Sequence, residues 1–66
     1  MKIHIDRDAD ALYIRISETP IIQSEEIRPG FVLDYDAEGS VVGIEMLNIS
    51  RRMTAEEMRT LHFASA

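Results

Sequence analysis

The stretch FVLDYDAEGSVVGIEML, residues 31–47, decides the fold, because an apolar alternation, an acidic turn and a second apolar alternation follow one another within it. The stretch IHIDRDADALYIRI, residues 3–16, has the same construction. At an offset of 28 residues, Asp6, Asp8, Ala9 and Ile16 recur as Asp34, Asp36, Ala37 and Ile44. The repetition predicts two similar β-hairpins, whose turns are stabilised by carboxylates that accept hydrogen bonds from nearby backbone amides.

One further strand and one helix complete the predicted elements. Residues 21–27 indicate a weak strand, whose polar centre suits the edge of a sheet or a solvated crossing. Pro29 and Gly30 indicate a turn, since proline sets the dihedral angle of the second turn position and glycine accepts a positive one at the third. Thr54 and Glu57 have the spacing of a capping box, which predicts a helix over residues 54–63.

Together these elements predict a mainly β protein of the α+β class. We expect a single domain over residues 1–66, with its β-sheet region at residues 2–52. The sheet is predicted to be an antiparallel meander of about five strands, including the two similar hairpins, with the short C-terminal helix on one face. Gly43, inside the last strand, indicates a bulge or a close backbone approach. The helix face expected to lie on the sheet carries Ala55, Met58, Leu61 and His62.

Composition narrows the possible partners. The chain has 66 residues and no cysteine, so disulfides and thiolate zinc sites are excluded. A core this small is marginal alone, which predicts a homodimer. The net charge of −5, from 12 acidic and 7 basic residues, argues against direct nucleic-acid binding. Arg51 and Arg52, the one basic pair, are interpreted as a solvated strand-to-helix connection.

Hydropathy bears on localisation. The sequence shows no apolar run of the length that a signal peptide or a membrane span requires. We therefore expect a cytoplasmic protein with no membrane partner.

Residues 34–45 imitate the calcium-binding loop of an EF-hand. The residues at the liganding and turn positions are Asp34, Asp36, Glu38, Gly39, Val41 and Glu45. An EF-hand needs a helix on each side of its loop, whereas Pro29, Gly30 and the β-branched residues after the turn indicate strands. An acidic hairpin is therefore favoured, and a calcium site is the alternative.

The remaining residues that could act in catalysis or binding do not form a group in the sequence. His4 lies on the polar phase of the first strand and His62 lies near the chain end, so neither belongs to an oriented catalytic constellation. Tyr35 shares its phase with Phe31 and Leu33, which predicts a buried ring with its hydroxyl at the rim. No catalytic, metal-binding or cofactor-binding residue is predicted, and no cofactor is expected.

Three blocks, at residues 8–14, 29–36 and 39–45, read DADALYI, PGFVLDYD and GSVVGIE. Taken together and in this order, they resemble the bacterial domain-of-unknown-function family 2283 (DUF2283), and the resemblance covers residues 2–52. It implies a small, mostly β protein with no established activity and no catalytic set. It also implies a possible antitoxin-type role, because some members look like partners encoded beside small toxin-like proteins.

The function expected from these observations is a non-catalytic protein-binding or regulatory module, of which an antitoxin-like protein is one form. An acidic protein can mask a basic, nucleic-acid-directed partner by complementary charge. The alternatives are a structural homo-oligomer and, less favoured, an enzyme or a calcium-binding protein that uses the acidic turns. In a meander, the turns near residues 8 and 37 point to opposite ends of the sheet, which opposes a shared catalytic site.

Overall fold

Five antiparallel strands form one sheet, and a short helix follows them, in a computed structural model that describes the backbone of residues 1–65 and the side chains of residues 1–61. The elements are β1 (Lys2–Asp6), β2 (Ala11–Arg15), β3 (Gln23–Arg28), β4 (Phe31–Tyr35), β5 (Val41–Leu47), a 3-10 turn (Ile49–Arg51) and α1 (Ala55–Ser65). The predicted mainly β, antiparallel class with a C-terminal helix is confirmed.

The strand order is β1-β2-β5-β4-β3, so the two hairpins meet along β2 and β5. The segment at residues 16–22 carries the chain from β2, near the middle of the sheet, to β3 at the far edge. All six residues of β3 are exposed, which confirms the predicted edge position. A polar strand cannot be buried on both sides without unsatisfied groups, so the apolar β5 occupies the centre instead.

The internal repeat gives the central ladder, between β2 and β5, a local two-fold relation. Three consecutive positions of the central ladder are Ile14 opposite Ile44, Arg15 opposite Gly43, and Ile16, whose N–H donates to the Val42 carbonyl at 2.8 Å. Ile14 and Ile16 correspond to Val42 and Ile44 at the offset of 28. A half-turn about the Arg15–Gly43 pair therefore exchanges the outer two positions of this ladder. The relation does not extend to the outer strands, because Ile3 lies opposite Ile14 whereas its counterpart Phe31 lies opposite Met46 and not Val42.

The sheet has two chemically distinct faces, because side chains alternate along each strand. The apolar face carries Ile3, Ile5, Leu12, Ile14, Phe31, Leu33, Val42, Ile44 and Met46. The polar face carries Tyr13, Arg15, Ser24, Glu26, Val32, Asp34 and Glu45. The buried apolar residues of the described chain are Leu12, Val42 and Ile49, so the core is small.

Helix α1 lies against the first hairpin. Among the strands, β1 is its principal neighbour, and Met58 and Leu61 are half-buried, as the predicted face requires. Ala55 is exposed, and the side chain of His62 lies outside the described residues. The predicted capping box is present, since Thr54 N donates to Glu57 Oε1 at 2.8 Å and Glu57 N donates to Thr54 Oγ1 at 3.1 Å. No helix in the described part of the chain has the length and apolar character needed to cross a membrane.

The connection between β5 and α1 is tied to the sheet by Arg52. This side chain is exposed, yet its Nε donates to the Leu47 carbonyl at 3.0 Å and its Nη2 donates to the Pro29 carbonyl at 3.1 Å. Its guanidinium also lies 4.3 Å from the centre of the Phe31 ring, within the range of a cation–π contact. Arg52 therefore has a structural role that its expected place in a solvated connection did not indicate.

Candidate functional site

A glycine at the centre of the sheet organises the polar face. A Cβ atom on Gly43 would lie 2.8 Å from Asp34 Oδ2 and 2.9 Å from the Tyr13 hydroxyl oxygen. The side chains of β4 and β2 therefore close over the bare backbone of β5 from opposite sides. The register of the β4–β5 ladder also shifts between Asp34 and Tyr35, so the predicted bulge and the predicted close approach both occur here.

Asp34 is the most deeply buried charged residue of the described chain, with 2% of its surface exposed. Its Oδ1 accepts a hydrogen bond of 2.6 Å from the Ser24 hydroxyl on β3. Taking a carboxyl group out of water is unfavourable unless hydrogen bonds to the protein replace those to water. Ser24 therefore sets the position of the Asp34 carboxyl on the polar face.

Glu45 places a second carboxyl group beside Asp34. It lies two residues beyond Gly43 on the same face of β5 and is half-buried. Burial raises the pKa of Glu45, and the charge of Asp34 and a hydrogen bond with it raise this pKa further. Two carboxylates in one site favour a state in which they hold one proton between them.

Arg15 adds a positive charge beside this pair, but most of its donors are already used. Its Nη1 donates to the Tyr13 hydroxyl at 3.2 Å. Its Nε donates to the Ser17 carbonyl at 2.5 Å and its Nη2 to the Thr19 carbonyl at 2.6 Å. Arg15 thus fastens the start of the crossover to the sheet. We call Tyr13, Arg15, Ser24, Asp34 and Glu45 the polar cluster.

The polar cluster can hold and exchange a proton, but it lies on an open sheet face. One cleft lies elsewhere, between the first hairpin and α1, where Ile5, Ile49 and Met58 line it. A shallower one lies beside the β4–β5 turn and includes Gln23 and Tyr35. Small-molecule sites are usually concave and largely enclosed, so the geometry of the polar cluster favours a structural role or contact with a large partner.

The acidic turns bind backbone amides, as predicted. Asp6 Oδ1 accepts the Ala9 N–H at 3.1 Å. Asp36 Oδ1 accepts the N–H groups of Glu38 and Ser40, both at 2.9 Å. These bonds stabilise each turn, because they satisfy amides that the hairpin leaves unpaired.

The calcium-loop residues are not arranged as ligands of one ion. Asp34 projects onto the polar face and binds Ser24, whereas Asp36 binds the backbone of its own turn. Strands flank the loop on both sides. Across the residues whose side chains are described, no three His, Cys, Asp or Glu residues are grouped so that they could hold a metal ion. The acidic hairpin is the arrangement observed.

The two ends of the sheet differ in charge. At the end that holds the first turn, Asp10 is tied to the 3-10 turn, since its carboxylate accepts Ser50 N at 3.1 Å and Ser50 Oγ at 2.7 Å. Asp10 has a positive φ of 53°, a conformation that aspartate tolerates better than most residues. Arg7 in the first turn, Arg28 at the last position of β3 and Arg52 in the connection also lie at this end. Their positive charges offset the negative charges of the aspartates there.

The acidic charge is concentrated in β3, β4 and β5. Residues 23–47 contain six acidic residues and one arginine, whereas the rest of the chain contains six acidic and six basic residues. The whole net charge of −5 therefore falls within this segment. Its exposed carboxylates are Glu25 and Glu26 on β3 and Glu38 in the β4–β5 turn, and we call these three the acidic edge.

The remaining candidates occupy ordinary positions. His4 is exposed on β1, and the side chain of His62 is not among those described. The Tyr35 ring is half-buried and its hydroxyl donates to Glu25 Oε1 at 3.2 Å, which confirms the predicted rim position. Burial and the neighbouring Glu25 raise the pKa of Tyr35. Sequence reasoning missed the polar cluster, for which the glycine inside β5 was the available signal.

One protein family matches most of this chain. No curated protein matches the chain, and no solved structure does so. Residues 2–50 match the family described as "Protein of unknown function (DUF2283)". The match covers most of the 66 residues, so the chain belongs to this family and the resemblance found in the sequence is confirmed.

Proposed function

We propose that this DUF2283 protein is a non-catalytic protein-binding module of the cytoplasm, and that its acidic edge takes a basic protein partner. The observation that carries the proposal is the placement of the entire net charge in residues 23–47. Such a one-sided field steers oppositely charged partners and disfavours wrong ones.

The position of β3 adds a second support. β3 pairs with β4 along one side, and its other side is a free edge of the sheet. An extended peptide can add to such an edge through main-chain hydrogen bonds, while side chains supply specificity. Glu25 and Glu26 would repel the same edge of another copy. The edge of β3 therefore favours a partner of opposite charge over a second copy.

The uses of the buried carboxylates support a non-catalytic role. Asp34 binds Ser24 and Asp36 binds two backbone amides, so both act within the fold. The carboxylates of the acidic edge are exposed and make fewer contacts within the fold. Glu25 accepts one hydrogen bond from the Tyr35 hydroxyl, and Glu26 accepts a long one, of 3.4 Å, from the Gly30 amide. Their other oxygen atoms can make intermolecular contacts.

The test is affinity purification from the native host with matched charge variants. We expect the double variant Glu25→Gln and Glu26→Gln to lose most of the captured basic protein, because each substitution removes a charge and keeps the size of the side chain. The control pair is Asp8→Asn and Glu56→Gln, which removes two exposed charges outside residues 23–47. Capture should also fall with added salt, since exposed charges are screened. Equal capture by both double variants would contradict the proposal.

The charge pattern supports one specific kind of protein binding, an antitoxin-type role. A basic, nucleic-acid-directed protein would be masked by the acidic edge through complementary charge. If a gene adjacent to this one encodes a small basic protein that arrests growth, co-expression of the chain should restore growth. The Glu25→Gln, Glu26→Gln variant should not restore it, whereas the Asp8→Asn, Glu56→Gln control should.

A further inference from the structure

The middle of the apolar face is left uncovered within a single chain. Four aliphatic side chains lie in register across four neighbouring strands, and all four are half-buried: Ile3, Ile14, Ile44 and Leu33, which we call the central row. Helix α1 contacts β1 above all and does not seal the face over β4 and β5. A sheet that is apolar on one face requires a second layer over it.

The chain exposes more surface than a compact monomer of its mass would. The accessible surface is 4886 Å², whereas a compact monomer of 7.5 kDa is expected to expose roughly 4,250 Å². The radius of gyration is 12.3 Å against about 10.8 Å for a compact domain of this length. The excess surface approaches the approximately 800 Å² that one partner buries in a standard interface. The shortest dimension, 16 Å, is that of a sheet with little covering.

We infer that a second copy of this chain covers the apolar face, so that the two sheets pack face to face with the central rows in contact. The central row carries no charge, so it offers nothing to a basic partner, and that partner is recruited by the acidic edge instead. Two copies related by a two-fold axis bury the same patch on each copy. The central row consists of four uncharged aliphatic side chains, and such a patch can pack against itself.

This arrangement leaves the polar face outside the interface, and with it Glu26 on β3. Glu25 lies opposite Leu33, at the β3 end of the central row, and therefore at the rim of the interface. Glu26 and Glu38 of the acidic edge stay available to a basic partner in each copy, so the inference does not depend on the proposed function. The two associations also respond oppositely to salt. Each copy carries a net charge of −5, so added salt should tighten the dimer by screening repulsion, whereas it should weaken capture of a basic partner.

The first test is the mass of the intact chain in solution. Light scattering should give twice the 7.5 kDa of one chain at about 100 µM, well above the micromolar dissociation constants that standard interfaces can reach. Ile44→Lys should lose the dimer, because it places an ammonium group in the central row. The matched control is Val32→Lys, at a half-buried position on the polar face, and it should remain dimeric.

A second test remains decisive if Ile44→Lys fails to fold. The chain has no cysteine, so a single one can be introduced cleanly. Ile44→Cys should cross-link into covalent dimers with a bismaleimide whose reach is about 10 Å, the spacing of packed sheets. Val32→Cys, on the opposite face, should stay largely uncross-linked. A folded monomer at the concentration used for light scattering, or equal cross-linking at both positions, would overturn the inference.

Discussion

Asp34 and Glu45 place two carboxyl groups side by side on the polar face, where Gly43 of β5 lies opposite Asp34 and two residues before Glu45. Burial and the charge of Asp34 raise the pKa of Glu45. The folded protein therefore holds a proton on this pair more readily than the unfolded chain does. This contribution to stability is fully present below the unfolded pKa of glutamate, about 4.3, and is lost as the pH rises through the folded pKa.

We predict that Glu45→Gln stabilises the protein relative to wild type at neutral pH. This advantage should shrink at about pH 4, where the raised pKa of Glu45 leaves the wild-type side chain largely protonated. A glutamine amide can donate to Asp34 as the protonated acid does. Urea unfolding at both pH values provides the measurement. Glu57→Gln is the control with the opposite sign, because hydrogen bonds with Thr54 lower the pKa of Glu57. A stability difference for Glu45→Gln that does not change with pH would refute the prediction.

A second prediction concerns the close packing at Gly43. Gly43→Ala should destabilise the fold by about 1–3 kcal/mol, because its Cβ would crowd Asp34 Oδ2 and the Tyr13 hydroxyl. Removing that hydroxyl with Tyr13→Phe should recover part of the loss in the double variant. Denaturant unfolding of the four proteins forms a double-mutant cycle. Strictly additive effects would show that Tyr13 does not limit the space above Gly43.

Arg52 should matter more than its exposure suggests. Arg52→Ala removes hydrogen bonds to the Leu47 and Pro29 carbonyls and the contact with Phe31, and we expect a loss of about 1–2 kcal/mol. The neighbouring exposed Arg51 supplies the comparison, since Arg51→Ala should change stability by no more than about 0.5 kcal/mol. Thermal unfolding of both variants tests the difference, and similar losses would argue that only the charge of this segment counts.

The capping box allows a test of α1 alone. Thr54→Ala should cost about 1 kcal/mol, because the Glu57 amide loses its acceptor. Thr54→Ser keeps a hydroxyl and should retain most of the stability. Circular dichroism at 222 nm during urea unfolding reports the helix signal. An alanine variant as stable as wild type would mean that the first turn of α1 contributes little to the fold.

Local chemistry explains which features could be predicted from sequence. The strands, the Pro29–Gly30 turn and the Thr54 cap depend on residues within a few positions of one another, and each was found where the pattern indicated. The pairing of β2 with β5 could not be read in this way, because it joins Ile14 to a residue 30 positions away. Alternation alone does not specify which apolar strand lies beside which.

The repeat also concealed a difference between its two acidic positions. Asp6 accepts an amide of its own turn, whereas its counterpart Asp34 is buried on the polar face. In the second hairpin, Tyr35 pairs with Val41, which moves the turn to Asp36 and leaves Asp34 inside β4. The position of the turn therefore decides whether an aspartate stabilises the turn or joins the polar cluster. The spacing of residues in the sequence does not predict which of the two occurs.

The meeting of the two hairpins along β2 and β5 has a consequence for how the chain folds. Each hairpin can close within about 1–10 μs, because its turn brings near neighbours together. The β2–β5 ladder must wait for both, since it closes a much longer stretch of chain at greater entropic cost. Until then, β2 and β5 each present unpaired backbone groups along one side. We therefore expect this ladder to form last and to be the step most open to misassembly between chains.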